Sequence, residues 1–114
     1  MRLINKSKNT VLAENLLLAD TPFRRMVGLL GKDRLYAGQA LLLAPCNSVH
    51  TFFMRFAIDL IFLDKNDMVI KTAHNCLPNK SIVLCWCAAK VIELSAGKIL
   101  STGTQLRDKI QILD

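Results

Sequence analysis

The sequence contains few features that would support catalysis or membrane insertion. It has no Gly-rich phosphate-binding loop and no recognised hydrolase or zinc-protease motif. The longest uninterrupted apolar run, Ile82–Ala89, is far shorter than the roughly 20 residues that cross a bilayer as a helix. No internal repeat, low-complexity tract or flexible linker divides the chain. These absences predict one domain, residues 1–114, without a membrane span.

Acidic residues are scarce compared with basic ones. There are 9 Asp and Glu against 15 Lys and Arg, for a net charge of +6. Such an excess favours anionic partners in general. The basic residues are scattered, however, and they are not interleaved with aromatic residues that could stack on bases. The charge pattern therefore disfavours nucleic acid as a partner and indicates a solvated basic surface.

A secretory signal and Cys-x-x-Cys pairs are also missing from the sequence. The first apolar stretch is interrupted by Glu14 and Asn15, whereas a signal peptide needs a continuous apolar core. We therefore expect a cytoplasmic protein. In that compartment the cysteines are expected to be reduced thiols; they are Cys46, Cys76, Cys85 and Cys87.

Apolar residues make up 52% of the chain, which is enough for a packed core. Short apolar runs separated by turn residues predict many strands. These runs are Leu3–Ile4, Val11–Leu12, Leu16–Ala19, Ala40–Ala44, Val49–Phe53, Ile58–Leu63, Met68–Thr72, Ile82–Cys87, Val91–Leu94 and Ile110–Leu113. Residues 64–67 predict a hairpin turn, because Asp and Asn favour such turns.

A helix is predicted over residues 21–31, where Thr21 can cap the first turn and Pro22 suits the first helical position. A second, short helix is predicted to start near Ser95. Together the elements predict an α+β domain of mainly antiparallel sheet with one or two short helices. The sheet is expected to form either a partly closed barrel or a sandwich-like arrangement.

Three segments, in order along the chain, resemble a known family. Residues 46–64 (CNSVHTFFMRFAIDLIFLD) resemble the central signature of the Domain of Unknown Function 192 family. Residues 21–32 resemble its R-x-x-GLM-G-R helix, and residues 91–97 resemble its VLELxAG segment. Phe53, Ala57 and Arg107 stand where the family often has tryptophan, proline and glycine. The resemblance covers about residues 20–113 and implies a small β-rich domain, often exported, with no established activity and no known catalytic residue.

Two carboxylates lie inside apolar strands, where they must be paired or hydrogen-bonded. Asp59 is flanked on both faces of its strand by apolar residues, and Glu93 has a similar setting. Asp59 could accept backbone N–H groups, pair with Arg24 or Arg25, or line a ligand cavity. If Asp59 and Glu93 converge, the pair could bind a cation or a polyol or perform acid/base chemistry. Separate structural roles are the alternative.

Metal ligation is disfavoured by residue spacing. His50 and Met54 lie about 13 Å apart if they share a strand, which is too far for one ion. The cysteine and histidine spacings lack the paired knuckles of structural zinc sites. The weak metal candidates are Cys46, His50, Cys76, Cys85 and Cys87. We therefore expect no metal or cofactor, and we expect the cysteines to pack as small apolar residues.

The function that the sequence favours is a non-enzymatic binding or accessory module for a small molecule or a protein segment. Its cleft is expected to be bordered by residues 46–59 and by Glu93. The candidate ligand-binding residues are Arg25, His50, Met54, Asp59 and Glu93. The alternatives are an enzyme that uses Asp59 and Glu93 as an acid/base pair, and a Cys/His metal-binding protein.

Overall fold

The computed structural model describes residues 1–21, 34–52, 54–80 and 82–114. Within these ranges there are ten strands and one short helix. They are β1 (Arg2–Asn5), β2 (Thr10–Ala13), β3 (Asn15–Ala19), β4 (Gln39–Leu43), β5 (Ser48–His50), β6 (Ile58–Leu63), β7 (Val69–Cys76), β8 (Ile82–Leu84), β9 (Lys90–Ser95), α1 (Lys98–Thr102) and β10 (Ile110–Leu113). Beyond its first residue, the helix predicted over residues 21–31 lies outside the described residues.

Five strands form a central sheet in the order β3-β4-β9-β6-β7. All of its pairs are antiparallel except β3 with β4, which are parallel. All six residues of β6 are buried, as expected for a strand that is apolar on both faces and has a neighbour on each side. The two adjacent inner strands, β9 and β6, carry Glu93 and Asp59.

Each face of the central sheet is covered by a separate apolar cluster. The first core joins one face to the three-stranded sheet β10-β1-β2 and to α1; it includes Leu3, Leu12, Leu42, Ile61, Leu63, Ile92, Leu94, Ile99 and Ile110. The second core covers the other face beneath the two-stranded β5–β8 ribbon; it includes Leu41, Leu43, Val49, Met54, Ile58, Leu60, Phe62 and Val91. Each fully buried side chain of this size contributes about 1.5–3 kcal/mol of transfer free energy.

The predicted α+β class with mainly antiparallel sheet is confirmed, and the molecule is one compact domain. Among the described residues, the sheets do not close into a barrel. The helix predicted near Ser95 is α1, which starts three residues later, after Gly97. No helix in the described part of the chain is long and apolar enough to cross a membrane.

Local hydrogen bonds explain where the strands differ from the prediction. Strand β5 ends at His50 because the Met54 N–H donates to the Thr51 carbonyl at 3.2 Å, which turns the chain. Strand β8 ends at Leu84, and a β-turn follows in which the Ala88 N–H donates to the Cys85 carbonyl at 3.0 Å. The parallel pairing of β3 with β4 is not predicted by the sequence.

The predicted hairpin turn at residues 64–67 is confirmed between β6 and β7. The Oδ1 atom of Asp64 accepts the backbone N–H groups of Asn66 at 2.8 Å and Met68 at 3.0 Å. Asp67 has a φ of 64°, in the left-handed region that Asp and Asn tolerate better than most residues. The turn is therefore stabilised by the acidic and amide residues that predict it.

Candidate functional site

Asp59 is fully buried on β6, and both of its oxygens are occupied by backbone donors. Oδ1 accepts the Asn75 N–H at 2.8 Å, at a bulge where the β6–β7 register shifts. Oδ2 accepts the N–H groups of Gly97 at 3.1 Å and Ile99 at 2.9 Å. Gly97 is the N-cap residue of α1 and has no side chain that could accept a hydrogen bond. Asp59 therefore accepts the backbone N–H groups at the start of the helix in its place. Asp59 therefore joins β7 and α1 to the centre of the sheet.

Strand register places Glu93 on the opposite face from Asp59. Directly paired residues in a sheet point to the same side, and successive residues alternate. Glu93 pairs with Leu41 and Leu60, so it lies on the side of the second core. Asp59 pairs with Leu94, on the side of the first core. The structure does not bring the two carboxylates together, which corrects the acid/base-pair alternative.

Glu93 is only 4% exposed, and its Oε2 atom has no hydrogen-bond partner among the described residues. Burial disfavours the charged carboxylate, because it is no longer solvated by water, and this raises the pKa of Glu93 to about 7. A neutral carboxyl group has an O–H donor beside its acceptor oxygen. Near neutral pH, Glu93 can therefore act as both donor and acceptor within an apolar surrounding.

The other ligand candidates are dispersed. His50 is exposed on β5, with its ring stacked on that of Phe52 at a centroid distance of 5.7 Å and an angle of 28°. Met54 is buried in the second core. His50 and Met54 therefore occupy different environments and do not form one site. Arg25 lies outside the described residues.

The cysteines do not assemble into a cluster. No disulfide joins any of the four, and the described ranges contain no group of three or more His, Cys, Asp or Glu that could hold a metal ion. Burial, together with the nearby negative charge of Asp59, raises the pKa of the Cys76 thiol. The Cys46 thiol contacts the Ser48 carbonyl at 3.1 Å. Cys46 also lines a cavity of about 280 Å³ with Pro45, Asn47, Ala88 and Ala89.

A buried polar network around Asp108 is absent from the sequence-based candidates. Asp108 accepts hydrogen bonds from the Asn5 side chain at 2.9 Å, the Lys8 ammonium at 2.7 Å and the Gln105 N–H at 3.0 Å. Burial alone would raise its pKa, but these bonds and the Lys8 charge outweigh burial and lower the pKa of Asp108. Asn5 is a fully buried amide. The sequence signal for the network is an amide directly after the apolar residues Leu3 and Ile4. The network is structural, because its groups satisfy one another.

The β5–β8 ribbon has two different sides. Val49 pairs with Val83, and both pack toward the second core. The neighbouring pair, His50 with Ile82, therefore lies on the outer side, as does Leu84. Ile82 is 70% exposed. The outer side consequently presents apolar side chains away from the core.

Comparison with known proteins gives a family and a fold. The family described as an uncharacterized ACR, Domain of Unknown Function 192, matches residues 3–112. A UPF0127 protein of Thermococcus sibiricus is 33% identical over 112 residues, covering 95% of this chain and 72% of that protein. A UPF0127 protein of Pyrococcus horikoshii is 37% identical over 71 residues, covering 60% of this chain and 62% of that protein. The matched stretch therefore spans less than two thirds of the Pyrococcus protein.

Two solved structures share the fold. A protein of unknown function from Novosphingobium aromaticivorans has a TM-score of 0.83 at 18% identity, covering 97% of this chain and 82% of that chain. A protein from Sinorhizobium meliloti, described as a candidate transcription regulator, has a TM-score of 0.83 at 21% identity, covering 96% of this chain and 89% of that chain. The family match over nearly the whole sequence confirms the resemblance of the three ordered segments: this chain belongs to the Domain of Unknown Function 192 family.

Proposed function

We propose that the protein is a non-enzymatic binding module that takes a small molecule on the Glu93 side of the central sheet. The observation that carries the proposal is the buried Oε2 atom of Glu93, which has no hydrogen-bond partner in the described part of the chain. Buried polar atoms are nearly always paired, and an unpaired one costs about 1–3 kcal/mol. A polar group on a ligand supplies the missing partner.

The chemistry of Glu93 indicates the class of ligand. A protonated carboxyl group donates from one oxygen and accepts at the other, so a primary amide or a carboxylic acid can pair with both. The residues paired with Glu93, Leu41 and Leu60, are apolar and favour an apolar body next to that polar group. A small molecule suits this buried position better than a protein segment, because a segment also brings its own backbone polar groups.

A pocket on the Glu93 side of the sheet, which is lined by residues other than Glu93, has room for a small ligand. The cavity of about 280 Å³ at the ends of β4 and β9 is close to the lower limit of ordinary small-molecule pockets. Two of its lining residues, Cys46 and Ala88, pack against the second core, on the same side of the sheet as Glu93.

Binding is favoured over catalysis because Glu93 receives no acid/base partner from the strands beside it. Its paired neighbours are the apolar residues Leu41 and Leu60. Asp59 is on the other face and is engaged by three backbone donors. General acid/base catalysis needs positioned groups within hydrogen-bond reach of the reacting atoms.

Methyl NMR with butyramide as the probe tests this function. We expect butyramide to shift the methyl resonances of Leu41 and Leu60, and we expect Glu93→Leu to weaken its binding at least about tenfold. Asp64→Asn, a change at the exposed β6–β7 turn, is the matched control and should bind like the parent. Unchanged methyl resonances, or equal binding by Glu93→Leu, would refute the proposal.

A further inference from the structure

The outer side of the β5–β8 ribbon continues into a β-turn that presents the only tryptophan of the chain. Trp86 is a central residue of the turn closed by the Ala88 N–H and the Cys85 carbonyl. Its side chain is 80% exposed. We use "ribbon face" for the outward residues His50, Phe52, Ile82, Leu84 and Trp86.

In the part of the chain that the structure describes, the ribbon face projects outward and lines no groove. Ile82 and Trp86 are 70% and 80% exposed, so little protein surrounds their side chains. Residues that line a peptide-binding groove are usually more enclosed, because the groove walls cover part of each side chain. Projecting apolar side chains instead suit insertion into a deformable apolar medium.

The chain segments that form and flank the ribbon contain basic residues and no acidic ones. Residues 39–58 and 68–92, which contain the ribbon and its flanks, include no Asp or Glu. The Lys71 ammonium donates to the Leu84 carbonyl at 2.8 Å, which fixes a cation beside the ribbon. Lys80 is exposed two residues before Ile82. An anionic surface is therefore complementary to the ribbon face, whereas a basic surface is repelled.

We propose that the ribbon face docks on an anionic lipid bilayer surface. Trp86 and Ile82 enter the interface between headgroups and acyl chains, where the amphipathic tryptophan ring is favoured. Lys71 and Lys80 lie at the headgroup level and are attracted by the negative surface potential. Because only a few side chains insert, the attachment is reversible, and it requires both the apolar and the electrostatic contribution.

The docking surface is independent of Glu93. The ribbon face is the outer side of β5–β8, whereas Glu93 lies on the sheet face that the inner side of the ribbon helps to cover. Failure of one proposal therefore leaves the other intact.

Fluorescence of the full chain with lipid vesicles tests the docking proposal. Trp86 is the sole tryptophan, so its emission reports on the ribbon face alone. We expect a blue shift with phosphatidylcholine vesicles that contain about one third phosphatidylglycerol, and little shift with phosphatidylcholine alone. Raising the salt from about 0.05 M to about 0.5 M should release the protein, since screening weakens charge attraction.

Co-sedimentation with the same vesicles separates the apolar contribution to binding from the electrostatic one. Ile82→Ser and Lys80→Glu should each reduce binding at least about fivefold. Leu100→Ser and Lys65→Glu are the matched controls, because Leu100 is 81% exposed on α1 and Lys65 is exposed in the β6–β7 turn. Both controls should bind like the parent.

Three results would overturn the proposal. One is an absence of vesicle binding, another is equal binding to charged and uncharged vesicles, and the third is equal loss in the control variants. A polyglutamate peptide tests the alternative that the ribbon face binds an acidic protein. If Trp86 emission responds to the peptide and not to vesicles, the partner of the ribbon face is an acidic protein and the lipid proposal is wrong.

Discussion

The two faces of the central sheet each bury one carboxyl group, and the two groups differ in their hydrogen bonding. On the face of the first core, Asp59 accepts three backbone N–H groups. On the face of the second core, the Oε2 atom of Glu93 has no partner among the residues described. Both side chains lie on neighbouring strands and are almost fully buried. Two equally buried carboxyl groups therefore differ in whether the surrounding protein satisfies their hydrogen-bonding capacity.

The largest expected effect is at Asp59. Asp59→Ala leaves the N–H groups of Asn75, Gly97 and Ile99 without their acceptor and opens a cavity beside α1. We expect the free energy of unfolding to fall by about 3 kcal/mol or more, measured by urea denaturation. Asp64→Ala is the control, since it removes an acceptor of two N–H groups in an exposed turn and should cost about 1 kcal/mol. Equal losses in the two variants would contradict the special role of Asp59.

The next effect is the pH dependence caused by Glu93. Burial raises its pKa to about 7 in the folded state, from an ordinary value of 4.5. The folded state therefore retains a proton that the unfolded state releases, so the contribution of Glu93 to stability is fully present below pH 4.5 and is lost as the pH rises through about 7. Relative to Glu93→Gln, the parent protein should lose about 3 kcal/mol between pH 4 and pH 8. Denaturation of both proteins across this range measures the difference, and parallel pH profiles would show that Glu93 is not desolvated.

A smaller effect of opposite sign is expected at Asp108, which is buried but satisfied. Hydrogen bonds from Asn5, Lys8 and Gln105 lower its pKa against the opposing effect of burial. Its contribution to stability is therefore present above the ordinary pKa of 3.8 and is lost as the pH falls below that value. Asp108→Asn should cost about 1–2 kcal/mol at pH 7, and the cost should vanish in acid. If the cost of Asp108→Asn grew in acid, the pKa of Asp108 would be raised in the folded state and not lowered.

Much of the fold follows from apolar patterning. The run Ile58–Leu63 is apolar on both faces, which predicts a central strand, and β6 has a neighbour on each side. The turn at residues 64–67 is predicted because its residues hydrogen-bond their own backbone. Strands β1, β2 and β10 are also predicted, since each is a short apolar run next to turn residues.

The relation between the two acids could not be predicted from the sequence. A shift of one residue in strand register moves every side chain to the other face, and pairing partners are not visible in a single sequence. The observed pairings of Glu93 with Leu60 and of Asp59 with Leu94 place the two acids on opposite faces of the sheet. The buried position of Asp59 is predictable from its apolar neighbours, whereas its partners are donors at residues 75, 97 and 99, far along the chain.

The exposure of the ribbon face could not be predicted from the sequence either. The apolar run Ile82–Cys87 predicts a strand, and apolar runs are usually buried. The β-turn closed by Cys85 and Ala88 ends the strand early and presents Trp86 at the surface. Exposure here depends on a local turn and on which elements cover the ribbon, and both are properties of the tertiary structure.

Carboxyl-carbon NMR titration of protein labelled with ¹³C at glutamate shows whether Glu93 is a desolvated carboxyl group without a hydrogen-bond partner. The chain has two glutamates, and Glu14 is exposed near the start of β3, so the two resonances can be assigned with Glu93→Gln. We expect the Glu93 resonance to titrate with a midpoint near 7, because burial without a hydrogen-bond partner disfavours the charged carboxylate. A midpoint near 4.5 would show instead that the Glu93 carboxyl group is solvated or paired.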